Sequence, residues 1–571
     1  MSQYYLRGEI KNDQNQPLAR ARILVQSNKG YIYSDETNGS FGISLKSLYD
    51  TLIIYLDGYE IKTVAVKTDV WQKIILKSTI DGSSHTSPKL TSFSSGYYQQ
   101  EAAQSSNQEE TYFKLIENNY IDVSQNTNTS FSLNVNKASY SNVRRFLKMG
   151  SEVPIDAVKV EEMVNYFNLH ERTPDVGKDF YVESQLTNCP WNEKKQLLFL
   201  NVNAKKIDFK NVPPGNFVFL IDVSGSMDMP NRLPLIKAAF QLFVKNLRSV
   251  DTVSIVTYGG FVQIWLPPTS GDQKTKILKS IELLEAEGDT PGESAIRLAY
   301  AVAQKSFIKD GSNRVILATD GDFNVGEYSE KSMDDLVTKE RQSGVYLTCL
   351  GVGMGNLKDS KLQTLAKKGN GNYAYLDDIN EAERVLIKEL TQTLYTVADD
   401  ALMNVSFNPN YVKQYRLIGF DNKKQALQIS HSEIEGGEMG SGSSVIAIFE
   451  ITPNVISNSE LNTNKKIASL NLTYKKENDT TNYSIDSDCE NNFKIIDKVD
   501  KDYQFASAVA WFGLKLRNSK FLYDSEWDNI ESFCKKKSDQ HDFLQKEFYK
   551  LVKDAIKISK GNRVRKKFLF F

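Results

Sequence analysis

Between residues 213 and 398, short apolar runs alternate with amphipathic stretches. Asn216 to Val223, Thr252 to Tyr258, Arg314 to Thr319 and Gly344 to Gly351 read as strands, because each is a brief run dense in β-branched and other apolar residues. From Leu233 onward, Ile236, Ala239, Phe240, Phe243, Val244 and Leu247 fall on one stripe, as a helix lying on a sheet requires. Ile379 to Val397 repeats that pattern with Val385, Leu386, Leu390 and Leu394. Such alternation builds a doubly wound, Rossmann-like α/β sheet, which places its ligands at the carboxyl ends of its strands.

At 571 residues the chain exceeds one hydrophobic core, so flanking domains are expected. Residues 1–80 carry short Val/Ile/Tyr runs divided by Asn, Asp and Gly, which predicts a small β-sandwich. The expected strands there are Ala21 to Gln26, Tyr31 to Ser34, Thr51 to Tyr55, Lys62 to Val66 and Lys73 to Leu76. Residues 81–111 are rich in Ser and Gln and read as a flexible linker. In 112–212, helices are expected over Ser139 to Gly150 and Ile155 to Phe167, and strands over Phe180 to Leu186 and Gln196 to Val202. The region 399–571 returns to β pattern and ends in helices near Gln504 to Arg517 and Phe543 to Ile558. The β-patterned stretches 112–212 and 399–480 are expected to pack together as a platform bearing the α/β domain. The overall class is therefore multidomain α/β plus β.

The sharpest chemical signal is Asp222-Val-Ser224-Gly-Ser226, directly after the apolar run Phe217 to Ile221. In extended backbone, alternate residues share a side, so one carboxylate and two hydroxyls can converge. These are hard oxygens, suited to Mg²⁺ or Mn²⁺ rather than zinc. The bare triplet is a weak signal, arising by chance about 0.1–0.2 times in such a chain. Its setting strengthens it. A second strand ends in Thr319-Asp320-Gly321, and the loop Glu287-Gly-Asp-Thr290-Pro-Gly offers another hydroxyl.

This ordered set resembles the metal-ion-dependent adhesion site (MIDAS) of the von Willebrand factor type A domain, with matches at Asp222, Ser224, Ser226, Thr290 and Asp320. The resemblance implies direct ligation by Ser224, Ser226 and Thr290, with Asp222 and Asp320 acting through ordered water. It also implies a position left open for a partner's acidic side chain, and a 379–397 helix that slides on ligation. Further motifs, among them Val160-Glu-Glu-Met-Val-Asn-Tyr-Phe167, Cys189-Pro-Trp-Asn192 and Tyr415-Arg-Leu-Ile-Gly-Phe420, resemble the bacterial YfbK-type proteins over residues 112–571. That resemblance implies a periplasmic or cell-envelope setting, although Met1-Ser-Gln-Tyr-Tyr carries no secretion signal and a cytoplasmic address stays open. Gly8-Glu-Ile, Gln16-Pro-Leu-Ala19, Thr37-Asn-Gly-Ser-Phe41 and Asp57-Gly-Tyr59 resemble the carboxypeptidase-regulatory-like domain, which implies an adaptor.

Other classes are disfavoured. Lys+Arg of 70 against Asp+Glu of 71 gives a net charge of -1, without the basic excess that nucleic-acid binding needs. No apolar run approaches the length of a bilayer helix. Cys189, Cys349, Cys489 and Cys534 stand far apart and read as reduced, buried thiols. His85, His170, His431 and His541 are scattered singly, which argues against a zinc enzyme. Glu161 and Glu162 read as a helix-surface pair, Asp322 as a solvated loop residue, Gly436 to Gly442 as a strand-connecting loop, and Arg563 to Lys567 as a frayed terminus. No catalytic residue is expected. The reading is a non-enzymatic, metal-dependent protein-binding module for adhesion or scaffolding. Its alternative is a Mg²⁺-dependent phosphoryl-transfer or hydrolytic enzyme using the same aspartates.

Overall fold

The computed structural model describes residues 4–568 except 19–20, 28–29, 35–38, 46, 57–58, 69, 78–109, 209–211, 289–291, 322–335, 356, 390–391, 393–394, 421–436, 455–465, 477–480 and 523–525. The chain forms two compact units, Met1–Ser87 and Pro88–Phe571. The expected linker lies almost wholly outside the described residues.

The first unit is a two-sheet sandwich. Strands Ser40–Leu45, Tyr4–Asn12 and Gln72–Leu76 form one sheet, and Gly30–Tyr33, Arg22–Val25, Tyr49–Tyr55 and Lys62–Lys67 the other. Leu6, Ile10 and Phe41 from one sheet share a core with Ile23, Val25, Leu52 and Ile54 from the other. Tyr4–Asn12 and Ser40–Leu45 were not expected as strands. In the first, Arg7, Glu9 and Lys11 alternate with buried Leu6 and Ile10, so charge on the outer face masks a half-buried strand.

In the second unit the α/β sheet has six strands, ordered Phe261–Ser270, Thr252–Gly259, Gly215–Asp222, Ser312–Thr319, Tyr346–Gly351 and Tyr373–Tyr375. All neighbours run parallel except the antiparallel edge strand Phe261–Ser270. The central strand is buried throughout and divides its side chains by period two. Phe217, Phe219 and Ile221 meet the Leu233–Lys245 helix, whose Phe240 ring stacks on Phe219 at 4.0 Å. Val218 and Leu220 face the Gly292–Lys305 helix through Ala295, Ile296 and Ala299. Two covered faces explain why this strand reads as a continuous apolar run.

The flanks do pack together. Phe180–Asn188, Gln196–Ala204, Ser444–Pro453, Val412–Ile418 and Ile121–Asp122 form one sheet in that order. Gly437–Gly440, Thr396–Phe407, Lys466–Lys475 and Tyr483–Glu490 form another, with Asn128–Ser132 also paired to Thr396–Phe407. Phe131, Leu198, Met403, Phe449 and Leu472 fill the shared core. Helices Ala138–Lys148, Lys501–Leu516, Trp527–Lys537 and Phe543–Phe568 join a further core with Phe199, Ile446 and Ile448. The backbone of the final helix continues through the stretch expected to fray. Cys189, Cys349, Cys489 and Cys534 are buried, free thiols.

Several expectations need correction. The 379–397 segment is not one helix: Ile379–Glu383 is α-helical, Arg384–Lys388 is a π turn, and a strand begins at Thr396. Pairing decides this, since Thr396 lies against Gly440 in the antiparallel sheet. The segment is also clamped. Arg144 pairs with Asp377 and with Glu381 at 2.8 Å, Arg384 reaches Glu389 at 2.6 Å, and Lys137 reaches Glu389 at 3.1 Å. Ile155–Phe167 breaks into a 3₁₀ turn, Ile155–Ala157, and the helix Val160–Asn165. Between them Ser139 Oγ accepts from Lys159 N and donates to Ala157 O, replacing helical partners. Glu162 is buried rather than exposed, accepting from Ser139 N at 2.9 Å and pairing with Lys159. The Gly436–Gly442 stretch includes the edge strand Gly437–Gly440 rather than being all loop; Gly436 itself is outside the described residues.

Candidate metal site

Asp222 ends the central strand, and Asp320 follows the end of its parallel neighbour. Both are completely buried. Asp222 is fixed from three sides: Ser224 N donates to Oδ1 at 2.9 Å, while Thr319 Oγ1 and Tyr258 OH donate to Oδ2 at 2.8 and 3.3 Å. Burial pushes the Asp222 carboxyl up to about 6, and Asp320 adds to that, against hydrogen bonds from Ser224 and Thr319. Two acids at one sheet edge hold a charge that a cation can relieve.

The triplet loop follows at once. Ser224 is buried and Ser226 exposed, with their Oγ atoms 3.1 Å apart. Two cis ligands on an octahedral ion with Mg²⁺–oxygen bonds of about 2.1 Å would stand about 3.0 Å apart. The donor set and its spacing therefore fit a hard divalent cation. Backbone bonds staple the neighbouring loop to this one, Gly225 N to Gly288 O at 3.0 Å and Glu287 N to Val223 O at 2.6 Å. Gly288 has φ +81, and a Cβ there would lie 2.4 Å from Gly260 N, so that close approach needs glycine. Thr290 and Asp322 lie outside the described residues. Of the five expected ligands, the fold thus brings Asp222, Ser224, Ser226 and Asp320 to one corner.

Residue spacing did not reveal Arg232. Its Nη1 donates to Asp320 Oδ2 and to Ser226 O, both at 2.7 Å, and its Nη2 donates to Met354 O at 3.1 Å. No motif surrounds Arg232; only the tertiary fold brings it to Asp320. Thr319 and Tyr258 carried a faint signal, as hydroxyls at the ends of predicted strands.

A second group, His170, Asp500 and Asp502, lies elsewhere. Its carboxylates already serve the backbone: Asp500 accepts from Asp502 N at the start of the Lys501–Leu516 helix, and Asp502 accepts from His170 N. The His170 ring is bound to Glu183.

Comparison with known proteins adds three family matches. Residues 216–392 match the von Willebrand factor type A domain, 106–199 a model described as von Willebrand factor, and 392–558 the C-terminal region of uncharacterized protein YfbK. Inter-alpha-trypsin inhibitor heavy chain H2 of Mesocricetus auratus is 27% identical over 203 residues, 34% of this chain and 21% of that protein. A solved von Willebrand factor type A structure from Catenulispora acidiphila has a TM-score of 0.39 at 14% identity, covering 64% of this chain and 88% of that one. Uncharacterized protein YfbK of Escherichia coli (strain K12) is 38% identical over 472 residues, 78% of this chain and 80% of that protein. That identity over that extent shows that the chain belongs to the YfbK family.

Proposed function

We propose that this chain is a non-enzymatic, metal-dependent protein-binding module. Its type A domain captures an acidic side chain of a partner protein through Mg²⁺ or Mn²⁺ held by Asp222, Ser224, Ser226, Thr290 and Asp320. The observation that carries this reading is the pair of Ser224 and Ser226 hydroxyls 3.1 Å apart beside two buried strand-end carboxylates. The bound ion supplies a Lewis-acidic seat for a carboxylate. The chain supplies the orientation: Thr319 and Tyr258 hold Asp222, and the Gly225–Gly288 bond keeps the loops in register. Few directly bound carboxylates leave the ion under-neutralised, so an incoming Glu or Asp gains a strong charge-assisted bond.

The flanking sheets bear the domain, and the N-terminal sandwich serves as an adaptor of the carboxypeptidase-regulatory-like type. A cell-envelope setting is part of this proposal, and cell fractionation tests it. The central test is calorimetric titration of Mg²⁺ and Mn²⁺ into metal-free protein beside Asp222→Ala/Ser224→Ala. Saturable binding lost in the variant is expected. Equal binding by both proteins would refute the site.

A further inference from the structure

Arg232 is not a surface arginine that happens to reach an acid. It is 5% exposed, and its guanidinium bonds Asp320 Oδ2, Ser226 O and Met354 O. The backbone makes room for it. Gly353 has φ +77, and a Cβ at that position would lie 2.5 Å from Arg232 Nε and 3.0 Å from its Cγ. Ordering and desolvating an arginine is costly, so a side chain anchored on three elements of one site is part of that site's construction. It touches two of the residues assigned to the metal, Asp320 through the carboxylate and Ser226 through the carbonyl.

We propose that Arg232 sets the affinity of the metal site: its fixed positive charge weakens binding of a free divalent cation and makes retention of the ion depend on a partner's carboxylate. The inference rests on the metal-site reading above. Charge balance gives its direction. Asp222 and Asp320 bring two negative charges and Arg232 one positive, leaving a single negative charge. A divalent cation takes this cluster to a net positive charge, and an acidic side chain from a partner returns it to neutral. Without Arg232 the two carboxylates balance the ion unaided, and an external carboxylate gains less. Acidic-ligand selectivity is then partly written into a residue that never touches the ligand, which makes Arg232 a positioning and charge-setting residue.

The test is titration of Mg²⁺ into metal-free full-length wild type, Arg232→Gln and Arg232→Lys, each repeated in acetate as a simple carboxylate probe. Arg232→Gln is expected to bind Mg²⁺ at least about tenfold tighter, the effect of one nearby like charge removed. Arg232→Lys, which keeps the charge, should stay near wild type, and acetate should tighten wild type more than Arg232→Gln. Removing Arg232 leaves Asp320 buried without this partner, so Arg232→Gln should melt earlier in chelator and recover more than wild type on adding Mg²⁺. That melting readout keeps the test informative should the variant fold poorly without metal. Equal or weaker Mg²⁺ binding by Arg232→Gln overturns the inference alone. Absence of Mg²⁺ binding in all three proteins, with and without acetate, overturns the metal site and the inference together.

Discussion

The base of the strand that delivers Asp320 is locked to the flanking platform by one charge pair, which can be tested by a double-mutant cycle. Arg314, near the start of Ser312–Thr319, pairs at 3.0 Å with Glu438 on the edge strand Gly437–Gly440, and their side chains are 0% and 1% exposed. Arg314 also donates to Thr348 Oγ1 at 3.0 Å and lies over the Tyr346 ring at 5.4 Å. Thr396 Oγ1 donates to Glu438. Among the described residues, replacing Arg314 by Met leaves Glu438 buried with that one neutral donor, so the loss should be about 3–5 kcal/mol. Glu438→Leu strands the guanidinium and should cost a similar amount. The double variant replaces the pair with apolar volume and is expected to be within about 1 kcal/mol of wild type, or more stable. Urea unfolding followed by far-UV circular dichroism measures all four corners. Single losses below about 1 kcal/mol, or losses that simply add in the double variant, would refute the claim that a coupled buried pair fastens the type A domain to the platform.

Two further outcomes are expected. Burial pushes the Asp399 carboxyl up to about 6, with the charge of Glu438 adding to it. A folded value above the unfolded 3.8 means that its favourable contribution is complete below about pH 4 and is lost as pH rises through 6. Asp399→Asn should therefore raise stability at about pH 8 by up to about 3 kcal/mol, just over two units at 1.36 kcal/mol each, and leave it unchanged near pH 4. Thermal unfolding across that range checks the sign, and a constant difference would contradict it. Gly353→Ala should cost about 1–2 kcal/mol from its φ of +77 alone, and more through the crowded Arg232. The extra loss should disappear in an Arg232→Ala background; strict additivity in chemical denaturation would count against the contact.

The primary sequence determined the central α/β unit. Where a strand is covered on both faces, as at Phe217 to Ile221, hydrophobicity is continuous and the element is visible in one dimension. The Leu233–Lys245 stripe is legible because its buried apolar positions share one core with the central strand. The positions of Asp222, Ser224 and Ser226 follow from the local strand-end motif, and strand order is what brings Asp320 beside them. The antiparallel strand Phe261–Ser270 is not legible in the sequence, because only Leu266 and Thr269 of its ten residues are buried and no period-two pattern results. Glu162 reads as a surface residue because two of the groups that donate to its carboxylate, the Ser139 N–H and the Gln363 side chain, become neighbours only on folding. The 379–397 stripe suggested one long helix, yet its end is drawn into a sheet by a strand some forty residues further on. Arg232 belongs with these cases. Its place beside Asp320 depends on the loop through Gly353 and Met354. Local pattern fixes an element when burial is local; ion pairs and edge strands are decided by whatever the rest of the chain brings alongside them.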